Sequence, residues 1–208
     1  MNHNYDIDYI IRYALIGDEK VGKTSLIVNF STVGLKENIH CTYDKKIFKL
    51  EDKIISLLII DTVSNSRFPQ VNLPILRNIA CIIFVYDISV KSSFENIPQY
   101  LKYYKRTTIF NQSALKILVG NKIDADKNRK VTKEEGIKFA EKNDMLFFEV
   151  SAKNGVNHKE VFMQSARIIL DRINKGEINL KDPTCGIIDN KRVGKDKKNY
   201  KICNCHIF

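Results

Sequence analysis

Long apolar runs are missing from this chain. The longest, Ala80 to Tyr86, is strand-sized, far short of the roughly 18 to 20 apolar residues that cross a bilayer. Glycine (9) and proline (4) are scarce, while 44% of residues are apolar and 28% charged, which argues against wholesale disorder. Met1-Asn2-His3-Asn4-Tyr5-Asp6 has neither the basic nor the apolar region of a secretory leader, so a cytosolic protein is expected. A disulfide framework is lacking too. Cys41, Cys81 and Cys185 are scattered, and Cys203 and Cys205 crowd the last six residues. What is present in excess is positive charge. A net +10 fits a solvated lysine-rich surface, an anionic membrane or a nucleic-acid partner.

The 208 residues suit one domain with length to spare. Runs apolar on both faces recur at Ile10–Ile16, Ile54–Ile60, Ala80–Tyr86, Leu115–Val119 and Leu146–Val150. Strands of that kind belong to sheets covered on both sides, so an α/β fold with a mostly parallel, six-stranded sheet is expected. Helical periodicity fills the intervals at Thr24–Phe30, Ser93–Tyr104, Thr132–Asn143 and Asn157–Ile173. Thr132-x-x-Glu135 is a capping-box pattern. Ile47–Leu50 and Ile54–Ile60 flank Glu51-Asp52-Lys53 and read as a hairpin, which places one antiparallel strand at a sheet edge. The pattern stops near Lys175. The expected division is a domain over 8–174 and a mobile, basic tail over 175–208.

Gly17-Asp18-Glu19-Lys20-Val21-Gly22-Lys23-Thr24 matches G-x-x-x-x-G-K-[ST] between a predicted strand and a predicted helix that continues through Ser25. Glycines let backbone N–H groups wrap phosphates, and the helix N-terminus favours negative charge. In this frame Lys23 is expected to reach the β- and γ-phosphates, and the Thr24 hydroxyl to ligate Mg²⁺.

Two further strand ends bear on the base. Asn121-Lys122-Ile123-Asp124 follows the Leu115 strand and Ser151-Ala152-Lys153 follows the Leu146 strand. A carboxylate such as Asp124 only accepts hydrogen bonds. Guanine offers it two adjacent donors, whereas adenine offers a lone pair, so the expected ligand is GTP or GDP.

These elements resemble the Ras superfamily, and its Rab branch in particular, over roughly Ile10 to Asn174. Val85-Tyr86-Asp87, Ser93-Phe94-Glu95-Asn96-Ile97, Glu134-Glu135-Gly136 and Phe147 to Lys153 are similar to Rab segments. The resemblance implies that Asp61 holds Mg²⁺ through water. It also marks departures. In Asp61-Thr62-Val63-Ser64-Asn65-Ser66-Arg67-Phe68, Ser64 takes the place of a glycine that senses the γ-phosphate. Asn65 takes the place of the glutamine that orients the attacking water. Glu19 and Lys20 stand where the family carries small residues. The Mg²⁺-binding threonine of the first switch falls on Thr42 counting forward from Lys23, and on Asn38 counting back from Asp61. Leu35 replaces an aromatic beside the base. Slow GTP hydrolysis with retained nucleotide binding is therefore expected.

Cys205 lies four from the end, as C-a-a-X requires, and Cys203-x-Cys205 resembles the paired cysteines of Rab tails. Lys191, Arg192, Lys195, Lys197, Lys198 and Lys201 precede them, against the single acid Asp196. Basic residues near an anionic leaflet supply the second signal that one lipid chain needs. Fully extended, Lys175 to Cys203 would span about 90 Å. Only Tyr200 interleaves the basic run, so nucleic acid is not expected as a partner. The resemblance implies a lipid-anchored GDP/GTP switch on the cytoplasmic face of a membrane. Effectors, an exchange factor and a prenyl-binding chaperone would be its partners. The alternative is a tethered scaffold that binds nucleotide without productive hydrolysis.

Overall fold

The structure, a computed structural model, describes residues 6–30, 43–62, 76, 78–106 and 113–193. Its elements run β1 (Tyr9–Ile16), α1 (Lys23–Phe30), β2 (Tyr43–Leu50), β3 (Lys53–Asp61), β4 (Cys81–Asp87), α2 (Lys91–Glu95), α3 (Ile97–Arg106), β5 (Leu115–Asn121), a 3-10 turn (Ile123–Asn128), α4 (Lys133–Lys142), β6 (Leu146–Val150), α5 (His158–Asn174), β7 (Ile187–Asp189) and α6 (Asn190–Val193). No helix among the described residues is long and apolar enough to cross a membrane.

The sheet order is β2-β3-β1-β4-β5-β6, parallel except for β2, which pairs antiparallel with β3 at the edge. Both faces are apolar for a geometric reason. Successive side chains of a strand point to opposite sides, so a covered sheet needs apolar residues at every position. In β1, Ile11, Tyr13 and Leu15 join the core under α1 and α5, while Ala14 and Ile16 join the core under α3 and α4. β4 divides likewise, and all seven of its residues are buried. Tyr13, fully buried, keeps its hydroxyl satisfied by Ser165, 2.9 Å away.

The expected helix over Ser93–Tyr104 is two helices broken at Asn96. Pro98 lacks an N–H and is tolerated in a first helical turn, which favours a fresh start there. The capping box of α4 forms as read: the Glu135 N–H donates to the Thr132 hydroxyl, and the Thr132 N–H donates to the Glu135 carboxylate.

The tail expected from Lys175 takes a different form over Lys175–Val193. β4 begins opposite Tyr13, so the first half of β1 lacks a neighbour on that flank. β7 takes the place, antiparallel, with Ile187 opposite Ile11 and Asp189 opposite Tyr9. The Arg12 N–H donates to the Gly186 carbonyl at 2.9 Å. Backbone groups in a core must be paired, and this strand completes the ladder. Cys185 and Ile187 are buried, and Ile178 and Leu180 pack on the same core. Gly186 sits at φ +75°, where an added Cβ would meet Ile79 C at 2.5 Å and Asn78 O at 2.8 Å. Asn190 then donates its N–H to the Asp8 carbonyl, and Lys191 pairs with the Asp8 carboxylate at 2.7 Å. The sheet thus has a seventh strand beyond the six expected.

Candidate functional site

The carboxyl ends of β1, β3, β4, β5 and β6 lie side by side, where open α/β sheets bind ligands. The loop after β1 is held close to the sheet. An added Cβ on Gly17 would collide with the Val85 carbonyl, and one on Gly22, at φ +97°, with the Asn121 amide. Lys23, buried, donates to the carbonyls of Gly17 at 2.8 Å and Asp18 at 2.7 Å. Burial pushes its ammonium below the ordinary range, while the carboxylates of Asp61, Asp18 and Glu19 pull the other way. Glu19, Lys20, Thr24 and Ser25 are exposed, and Val21 is buried.

At the end of β3, Asp61 faces Thr24. The Thr24 hydroxyl donates a short hydrogen bond to Asp61 Oδ2, while buried Oδ1 has no partner among the described residues. Asp44 of β2 lies near enough that its own carboxyl is raised, first by burial and then by the charge of Asp61. A hydroxyl beside an orphaned carboxylate oxygen is the donor chemistry a hard divalent cation takes.

The base motif is joined to the phosphate loop by one side chain. Asn121 is buried; its amide donates to the Val21 carbonyl at 2.8 Å, and its oxygen accepts the N–H groups of Lys122 at 2.8 Å and Ala152 at 3.1 Å. Lys122 adopts a left-handed conformation (φ +70°), and its ammonium meets the buried Asp87 carboxylate at 2.6 Å. Burial alone would raise the Asp87 carboxyl, but Lys122 and Ser89 outweigh it and hold it below its ordinary value. Asp124 is exposed and accepts the Ser151 hydroxyl at 2.5 Å. Asn29 of α1 donates to the Ala152 carbonyl.

Eight of the predicted residues share one cavity, while Gly17, Asp18, Glu19, Lys20, Val21, Lys23, Asp61 and Ser151 are not part of its lining. Gly22, Thr24 and Ser25 from the first motif, and Asn121, Lys122, Asp124, Ala152 and Lys153 from the others, line one cavity of about 540 Å³. That is within the range of small-molecule sites. Val28 and Asn29 complete the lining and were not foreseen; they sit one helical turn beyond Thr24 and Ser25. Asp44 and the Asp87–Lys122 pair were not foreseen either, because their partners are remote in sequence. Asn65, Ser64, Thr42, Asn38, Leu35, Cys203 and Cys205 lie outside the described residues.

The chain is similar to known proteins over most of its length. The model of the Ras family matches residues 12–171. Ras-related protein Rab-13 of Canis lupus familiaris is 38% identical over 171 residues, covering 78% of this chain and 81% of its own. Ras-related protein Rab-2B of Dictyostelium discoideum is 32% identical, covering 80% and 83%. Ras-related protein Rab-4A of Mus musculus is 33% identical over 183 residues, covering 86% and 82%.

Proposed function

This chain belongs to the Ras family as a Rab-like small GTPase, and from that we propose that it is a GDP/GTP switch of membrane traffic with slow intrinsic hydrolysis. The observation that carries the reading is one cavity lined jointly by Gly22 and Thr24 of the phosphate loop and by residues of both base motifs.

In this reading the loop backbone from Gly17 to Thr24 wraps the phosphates. Lys23 turns from the Gly17 and Asp18 carbonyls to the β- and γ-oxygens. Asp124, oriented by Ser151, takes the two guanine donors. Ala152 is placed by Asn121 and Asn29, and Lys122 is steadied by Asp87. Thr24 and, through water, Asp61 would hold Mg²⁺, with Thr42 as the first-switch ligand. When bound, the ion neutralises charge on the phosphates.

Hydrolysis depends on residues that depart from the family. Asn65 is one methylene shorter than the glutamine it replaces, and Ser64 stands in place of a glycine. Glu19 adds a carboxylate near the γ-phosphate. Lipidation of Cys203 and Cys205, with the basic run before them, would fix the protein to a cytoplasmic membrane face. With β7 docked on β1, Lys175 to Val193 no longer count toward the length of the tether. An exchange factor, effectors and a prenyl-binding chaperone complete the cycle.

Single-turnover release of phosphate from γ-labelled GTP tests the kinetic part. The expected rate is below about 10⁻⁴ s⁻¹, and Asn65→Gln raises it. Release at about 4 × 10⁻⁴ s⁻¹ or faster by the unaltered protein would overturn slow hydrolysis. Stable GTP binding with no release, unchanged by Asn65→Gln, favours a membrane-tethered scaffold, the second reading that Ser64 and Asn65 support.

A further inference from the structure

The phosphate loop contains a residue in the wrong conformation for its type. Lys20 sits at φ +62°, in the left-handed region that disfavours side chains. Such strain persists only where the surroundings over-determine the backbone. Two side-chain anchors flank it. On one side is the Asn121 bond to the Val21 carbonyl. On the other is Asp18, whose carboxylate is held at two points: it accepts the Tyr100 hydroxyl at 2.7 Å and the Asn96 amide at 2.8 Å. Asn96 stands at the break just before α3 and Tyr100 in the first turn of α3, outside every motif that contacts the cavity. The Tyr100 ring is buried in the core under α3, which fixes the direction of its hydroxyl. Burial, and then the Asp18 carboxylate, push that phenol up, so it stays a donor through the neutral range.

We propose that Asn96 and Tyr100 are positioning residues for the nucleotide: through the Asp18 carboxylate they clamp the strained phosphate loop in its binding shape and slow nucleotide release. The inference rests on reading the cavity as a guanine-nucleotide site. Its direction follows from the geometry. Loss of either donor frees Asp18, and the strain at Lys20 is then relieved by movement of the loop away from the phosphates.

The test is stopped-flow kinetics of fluorescent mant-GDP with Mg²⁺ on the full chain. Tyr100→Phe removes the hydroxyl and keeps the ring. The expected result is an off-rate raised about tenfold with an on-rate within twofold. Asn96→Ala acts in the same direction. Adding Lys20→Gly to Tyr100→Phe, which removes the strain that the clamp opposes, should return the off-rate to within about threefold of the unaltered protein. An unchanged off-rate in Tyr100→Phe, or a raised one that Lys20→Gly leaves in place, would overturn the proposal. No mant-GDP binding by the unaltered protein would overturn the nucleotide reading itself, and this proposal with it.

Discussion

The two ends of the sheet are built on different principles. At the carboxyl ends of the strands, backbone loops are shaped by short contiguous motifs, and polar groups such as the buried Asn121 and the exposed Asp124 converge on a cavity. At the opposite end, β7 closes the flank of β1 with buried apolar residues and three ladder positions. One end is polar, local and open; the other is apolar, assembled across the chain and closed. A ligand site must expose donors and leave room. A sheet margin must instead pair its backbone and exclude water. Each end nevertheless depends on a glycine in the left-handed region with no space for a Cβ: Gly22 above and Gly186 below. The pair offers a direct way to break the comparison.

Gly22→Ala should have the largest effect. A methyl group there collides with the Asn121 amide, and alanine resists φ +97°. Strain of about 1–2 kcal/mol per left-handed residue, with the Asn121–Val21 bond lost, predicts GDP affinity reduced about 100-fold. Melting of the nucleotide-free protein should move by less than about 4 °C, since an open loop can yield locally. Calorimetric titration and thermal scans measure both. A large loss of stability with affinity retained would mean that the site end is structural after all.

Gly186→Val should do the converse. The β-branched side chain meets the backbone of Asn78 to Ala80, so β7 leaves its slot and uncovers Ile11. The melting temperature should fall by about 5–10 °C with or without GDP, while GDP affinity stays within about threefold. Amide exchange at Arg12 and Asn190, whose N–H groups bond across this junction, should quicken. If affinity fell together with stability, the ends would be coupled and the contrast would fail.

The same contrast explains what could be read in advance. Gly17 to Thr24, Asn121 to Asp124 and Ser151 to Lys153 are contiguous strings that each follow a strand, so their placement at one end of the sheet was legible. The alternating strands and the Thr132–Glu135 cap were legible because they are local. Asp18 with Asn96 and Tyr100 was not, since its members stand 78 and 82 positions apart and meet only when α3 packs. Nor was β7. Three residues carry no period, and its one signal, Cys185-Gly186-Ile187-Ile188 as an apolar island in a polar stretch, gains meaning only once β4 leaves the first half of β1 unpaired.

The smallest expected effect sharpens the boundary at the closed end. Lys191, and then the Ile54 N–H, hold the Asp8 carboxyl below its ordinary value against the effect of burial. A carboxyl depressed in the folded state lends stability above its unfolded pKa of about 3.9 and loses it as pH falls through the folded value. Lys191 is two-thirds exposed, so solvent screens much of the attraction. Asp8→Asn removes the charge but keeps an oxygen for the Ile54 N–H. It should lower the melting temperature by about 1–2 °C at pH 7, and the difference should close by about pH 2. In Gly186→Val, where α6 is no longer delivered to Asp8, the same substitution should cost less at pH 7. Equal losses in both backgrounds would show that Asp8 serves the β2–β3 hairpin alone, and that the closed end stops at β7.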